Sequence, residues 1–117
     1  PLIFSTALPP ISVAWSDFML HKVLTMHAQR QHLAEMSQYV QQAVLAKGFV
    51  SPSSSHIIPI IVGESQAAIA KAQQLQQQGF YAMPVRPPTV PQHSSRLRIC
   101  LTTLLRKTEL QQLVACL

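Results

Sequence analysis

Apolar residues recur at helical spacing over residues 11–47 and give way to β-type runs after residue 56. Val13, Phe18, Leu20, Val23 and Leu24 form a first stripe, and Leu33, Met36, Val40, Val44 and Leu45 repeat the spacing. The polar stretch 25–31 between them predicts a kink or a break into two helices. Gly48 is placed to end the second. Ser-Pro-Ser-Ser-Ser at 51–55 is loop by composition, and residues 57–62 are β-branched enough for a strand. Pro59 removes a ladder donor there, so that strand belongs at an edge or is irregular. Residues 66–78 read as a helix with Ala67, Ile69, Ala70 and Leu75 toward a sheet, capped by Gly79. Strands are predicted over 80–85 and 97–102. A closing helix is predicted over 108–117, with Leu110, Leu113, Val114 and Leu117 inward. Residues 2–10 are expected to be extended, ending in Pro9-Pro10, which biases Leu8 away from helix.

This order predicts an α/β (α+β) domain, a small sheet of about three mainly antiparallel strands with helices on one face. At 117 residues, 48% of them apolar and 11% charged, the chain is expected to fold as one domain with a modest core. No apolar run approaches the ~20 residues that span a bilayer, and no targeting segment is read at the start, so a cytoplasmic protein without membrane contact is expected. The chain opens abruptly on Pro1, which suits a piece of a longer protein. A net charge of +5 arises from nine cationic and only four acidic side chains. The cations are scattered and no aromatic residues interleave with them, which argues against nucleic acid. His21, His27 and His32 do not share a helical face and suit a solvated surface rather than a metal. Cys100 and Cys116 are isolated and are expected to pack as small apolar groups in a reducing compartment.

The chemistry concentrates in residues 79–102, GFYAMPVRPPTVPQHSSRLRICLT. Arg98 lies within a predicted strand, where an arginine is expensive to bury unless it meets an anion in good geometry. Its planar fork suits a carboxylate or phosphate held by two parallel hydrogen bonds. Strand alternation puts Arg96 and Arg98 on one side, with Leu97 and Ile99 on the other. A solvated sheet face would accommodate both arginines equally well on these grounds. Arg86 precedes Pro87-Pro88, which stiffen the chain and hold its side chain at a loop mouth.

RPPTVP followed by SRLRICLT resembles the C-terminal domain of the 8-amino-7-oxononanoate synthases. These belong to the α-oxoamine synthases, pyridoxal-phosphate enzymes of the aspartate-aminotransferase fold (fold type I). FSTALPP at 4–10 and HIIPIIVG at 56–63 are similar to segments of the same family in the same order, so the likeness runs from Leu2 to Leu117. It implies that residues 1–10 contact a large domain and a second subunit, and that residues 11–117 form the C-terminal small domain. The long first helix would bridge to a catalytic domain absent from this sequence.

The resemblance further implies condensation of L-alanine with a pimeloyl thioester, with loss of carbon dioxide, in biotin biosynthesis by a homodimer. Arg98 would grip the amino-acid carboxylate, Arg86 would help fix the acyl substrate, and Ser5 and Thr6 would reach the phosphate of pyridoxal 5'-phosphate. Arg96 keeps the reading of a residue on the solvated sheet face. His93, Ser94 and Ser95 stand where the family has a small Gly-Thr type pair, and His93 cannot replace glycine at a positive φ without cost. Leu104 and Leu105 stand where the family tends to have a histidine. Lys22, Lys47, Lys71 and Lys107 all fall on predicted helices or their ends, outside the family's Schiff-base segment. This polypeptide alone is therefore expected to be catalytically inactive, to carry no catalytic residue of its own, and to hold neither the cofactor nor a metal. Rival readings are another α-oxoamine synthase, of the glycine C-acyltransferase or autoinducer synthase type, and a non-catalytic binding module.

Overall fold

The computed structural model describes residues 7–117. The expected extended segment up to residue 6, with Ser5 and Thr6, lies outside the described residues. Leu8 and Pro9 are non-helical, and Pro10 already opens helix α1 (Pro10–Thr25), one residue earlier than expected. A proline at the first helical position loses nothing, because its missing N–H would have had no partner there.

The predicted break falls at Met26, between α1 and helix α2 (His27–Ala46). The two helices differ in fate. Met36, Val40 and Val44 of α2 are buried, with Leu33 packed beside them, whereas Leu45 is exposed. α1 buries nothing, and its expected single stripe is absent. At 3.6 residues per turn, Ile11, Trp15, Phe18 and Met19 gather on one side, while Val13, Leu20 and Leu24 gather on the other. All seven are exposed. The projecting helix explains a radius of gyration of 18.0 Å, against about 13 Å for a compact chain of this length.

Strand β1 (Ile57–Gly63), helix α3 (Ser65–Gln77), strand β2 (Met83–Val85), strand β3 (Ser95–Cys100) and helix α4 (Lys107–Cys116) complete the fold. The sheet order is β1-β3-β2, antiparallel throughout. Pro59 sits on edge strand β1. Ile61 N–H reaches outward to the Val50 carbonyl at 3.0 Å, and backbone groups two residues apart point the same way. The donor that Pro59 lacks would therefore have faced the open edge.

Helices α2 and α4 pack together, α3 covers all three strands, and α2 reaches β1. The core lies between this layer and one face of the sheet, where Ile58 and Ile60 meet Ile99 and Leu97 across the β1–β3 ladder. On α3 the buried positions are Ala68, Ala72 and Leu75, while Ala67 and Ala70 are exposed and Ile69 is half-buried. Only Leu75 of the expected four is fully inward, because an Ala/Gln-rich segment leaves the helical phase weakly marked. In α4, Leu110 and Leu113 are buried, whereas Val114 and Leu117 are half-buried.

Both helices that precede a change of direction end in the same way. Phe49 N–H bonds the Val44 carbonyl and Phe80 N–H the Leu75 carbonyl, six-to-one closures that require the intervening residue in the left-handed region. Gly48 at φ 82° and Gly79 at φ 86° meet that need. The reversal at Gly79 also explains why β2 spans only Met83–Val85 instead of 80–85. Phe80 is still completing the helix cap, and Ala82 is buried before pairing begins.

Two contacts fix α4. Lys71 Nζ donates to the Leu117 carbonyl at 2.7 Å, a cation at the negative end of the helix. At the other end the Glu109 carboxylate accepts from the Arg106 backbone N–H at 2.7 Å and from its guanidinium at 2.8 Å. The hydrogen bond to the Arg106 side chain, then that to its backbone, holds the Glu109 carboxyl below the usual carboxylate range.

Candidate functional site

The face of the sheet turned away from the helices carries Arg96 and Arg98. In β3 the burial alternates, with Leu97 and Ile99 inward, Arg96 half-buried and Arg98 exposed outward. Two residues of strand separate the arginines by about 7 Å. Pro59 and Met83 flank Arg98 across the ladders, and Ile61 and Val85 flank Arg96. The result is a pair of guanidinium groups on an apolar bed. Cys100 is also exposed on this face, contrary to its expected packing, because it continues the outward phase of the strand. Cys116 is half-buried against the core.

Arg98 borders two concavities. One, of ≈ 340 Å³, is shared with Met83, Val85, Arg86 and the Pro87-Pro88 bend. The other, of ≈ 330 Å³, is shared with Arg96, the serine loop at Ser53 and Ser55, and Ile57, Pro59 and Val85. The two arginines singled out in the sequence, Arg98 and Arg86, thus line one concavity together with the double-proline bend. Arg98 Nη2 approaches Met83 Sδ at 3.3 Å, a weak acceptor that leaves most of the fork unused.

No carboxylate among the described residues pairs with Arg86, Arg96 or Arg98. Asp17 contacts His21, Glu35 accepts from Gln31, Glu64 holds His93, and Glu109 holds Arg106. All four acids are engaged elsewhere, so the face presents uncompensated positive charge to any anion that enters it. A groove of ≈ 480 Å³ lies between α2 and the serine loop and meets the ≈ 330 Å³ concavity at Ser55. Its arginine, Arg30, donates to the Val23 carbonyl and to His27 Nδ1, which leaves a weaker anion site.

The loop that carries Arg86 is fastened at both ends. Thr89 N–H closes a turn on the Arg86 carbonyl at 3.0 Å, and Ser94 Oγ donates to the Pro91 carbonyl at 2.7 Å. His93 adopts φ 58°, in the left-handed region where the sequence expects a glycine-like demand. Its Nδ1 meets Glu64 Oε1 at 2.6 Å, and Ser95 Oγ meets Ser65 Oγ at 3.1 Å, tying the loop to the β1–α3 turn. Glu64 lies 29 positions from His93, so no local pattern could have revealed it. A comparison of two variants isolates the backbone strain. His93→Ala and His93→Gly both lose the imidazole, and His93→Gly is expected to be about 1–2 kcal/mol more stable in urea unfolding. Equal stabilities would mean that the loop relaxes out of the left-handed region.

The described lysines do not reach this face. Lys22 is on α1, Lys47 ends α2, Lys71 is bound to α4, and Lys107 opens α4. The face therefore presents guanidinium donors to an anion and no lysine amine among the described residues.

The sequence matches the aminotransferase class I and II family over residues 1–117. The 8-amino-7-oxononanoate synthase of Haemophilus ducreyi is 50% identical over 118 residues, covering 100% of this chain and 30% of that protein. The putative 8-amino-7-oxononanoate synthase of Pasteurella multocida is 48% identical over 118 residues, again with 100% and 30% coverage. The chain thus spans 30% of the length of these curated relatives. Among solved structures, serine palmitoyltransferase from Sphingomonas wittichii superposes with a TM-score of 0.83 at 27% identity, over 97% of this chain and 29% of that one. The 8-amino-7-oxononanoate synthase of Francisella tularensis gives a TM-score of 0.79 at 23% identity over 97% and 33%, a likeness of fold.

Proposed function

The chain belongs to the aminotransferase class I and II family, and we propose that it is the C-terminal small domain of a pyridoxal-phosphate acyltransferase of the 8-amino-7-oxononanoate synthase type. The observation that carries this reading is Arg98, an exposed arginine with no carboxylate partner among the described residues, which shares one concavity with Arg86 and the double-proline bend. Identity of 48–50% along the whole chain to synthases of that name supports the same reaction.

In this reading the Arg98 fork receives the carboxylate of L-alanine through two parallel hydrogen bonds, fixing the direction of the bond from that carboxylate to the α-carbon. Arg86, held at the loop mouth, helps fix the acyl thioester beside it. The condensation joins the alanine α-carbon to the acyl carbonyl carbon and releases the thiol and carbon dioxide. Pyridoxal phosphate, when bound, supplies the electron sink for that exchange. Its lysine and its pyridine-nitrogen partner would belong to an N-terminal catalytic domain, with Ser5 and Thr6 reaching its phosphate from a neighbouring subunit of a homodimer. This domain supplies the carboxylate clamp and part of the pocket wall. The product would enter biotin biosynthesis in the cytoplasm. Among the described residues no helix is long and apolar enough to cross a membrane.

A second reading, another α-oxoamine synthase, draws on the likeness to a serine palmitoyltransferase. One experiment separates them. The full-length protein that carries this chain is assayed with pyridoxal phosphate, a pimeloyl thioester, and alanine, glycine or serine in turn. Carbon dioxide release is expected with alanine and to be at least tenfold slower with the others. A preference for glycine or serine would overturn the assignment. The 117-residue chain assayed alone is expected to give no turnover, and the seven exposed apolar side chains named on α1 should make it self-associate in size-exclusion chromatography.

A further inference from the structure

We propose that Arg96 is a specificity-determining residue that holds the distal carboxylate of a dicarboxylic acyl thioester, next to the amino-acid clamp at Arg98. This rests on the proposed function, in which alanine brings one carboxylate and the acyl substrate brings another at the far end of a polymethylene chain. Alanine needs only one fork. The sheet face presents a second about 7 Å along the same strand, on the same side.

Arg96 is the better prepared of the two β3 arginines. Its Nε donates to the Ser94 carbonyl at 3.0 Å, which fixes the guanidinium and leaves both Nη nitrogens without a partner among the described residues. A fork held at Nε and open at both Nη atoms suits bidentate capture of a carboxylate, with little side-chain freedom left to lose. The concavity of ≈ 330 Å³ before it has Ile57, Pro59 and Val85 as apolar lining, which suits methylene groups. Ser53 and Ser55 rim the cavity, but their hydroxyls donate to the Ile57 carbonyl and add no competing donor. The two arginines are therefore the cationic groups of this cavity.

The test uses the full-length enzyme with a pimeloyl thioester and a heptanoyl thioester, which ends in a methyl group where the other has a carboxylate. Arg96→Met is expected to lower kcat/KM for the pimeloyl thioester by roughly 100-fold or more, the combined effect of losing two charge-assisted hydrogen bonds to one carboxylate. The same variant should change the heptanoyl value by less than about threefold and leave the KM for alanine where it was. Arg96→Lys, which keeps the charge and loses the fork, should fall between wild type and Arg96→Met for the pimeloyl thioester only. If Arg96→Met fails to fold, Arg96→Lys alone decides, since an unchanged ratio of pimeloyl to heptanoyl activity would overturn the assignment. Equal losses on both thioesters, or a shift confined to alanine, would overturn it too. A wild-type enzyme inactive with alanine and the pimeloyl thioester would instead strike the proposed reaction itself.

Discussion

Arg98→Met in the full-length enzyme is expected to raise the KM for the amino acid by roughly 100-fold or more, the combined effect of losing two charge-assisted hydrogen bonds to one carboxylate. The substitution removes a fork whose described contact is Met83 Sδ. The side chain is exposed, so the melting behaviour should stay within about 0.5 kcal/mol of wild type. Arg98→Lys preserves the charge but presents three diverging donors in place of a planar pair. It should therefore recover part of the binding, leaving KM about tenfold above wild type. Steady-state kinetics with alanine varied at a saturating thioester separates these cases. An unchanged KM in Arg98→Met would place the carboxylate on another residue.

The largest effect on stability belongs to the neighbouring position. Leu97 is fully buried at the middle of the central strand, opposite Ile60 on one side and Pro84 on the other. Leu97→Ala removes its packing and leaves a cavity between sheet and helices, at a cost of about 2–5 kcal/mol. Domains of this size have roughly 5–15 kcal/mol in total, so a sizeable fraction of the variant should unfold at moderate urea concentrations. Ile60→Val, which removes one methylene from the opposing strand, should cost about 0.5–1.5 kcal/mol and serves as a graded control. Urea denaturation followed by circular dichroism gives both values. A small loss in Leu97→Ala would mean that the sheet and helices close over the gap.

The alternation that buries Leu97 also aims Arg96 and Arg98 outward, and this was legible in the sequence because a strand has period two. Gly48 and Gly79 were legible as helix ends because their left-handed conformation has few other solutions. Pro59 announced an edge strand for a similar reason, a missing donor. α1 was misread. Its apolar residues lie on two opposite sides, and a dense apolar run such as Val13, Phe18, Leu20, Val23 and Leu24 contains helical spacings whichever side each residue takes. The inward face of α3 is legible only at Leu75, because alanines occupy both the buried and the exposed positions.

The site was legible in part. Arg98 and Arg86 could be named from residue type and neighbouring prolines, and the structure sets them in one concavity. The fastening of that loop by Glu64 and Ser65 was not legible, since those contacts join residues 29 and 30 positions apart. The anchoring of Arg96 through Nε was hidden too, because it depends on where the Ser94 carbonyl points.

The most direct measurement is a crystal structure of the full-length enzyme with L-alanine in its active site. Both oxygens of the alanine carboxylate should lie within about 3 Å of the Arg98 guanidinium, in the plane of the fork, with Arg86 on the side of the double-proline bend. A carboxylate bound by a different residue, with the Arg98 side chain extended into solvent, would contradict the clamp and every functional conclusion drawn from it.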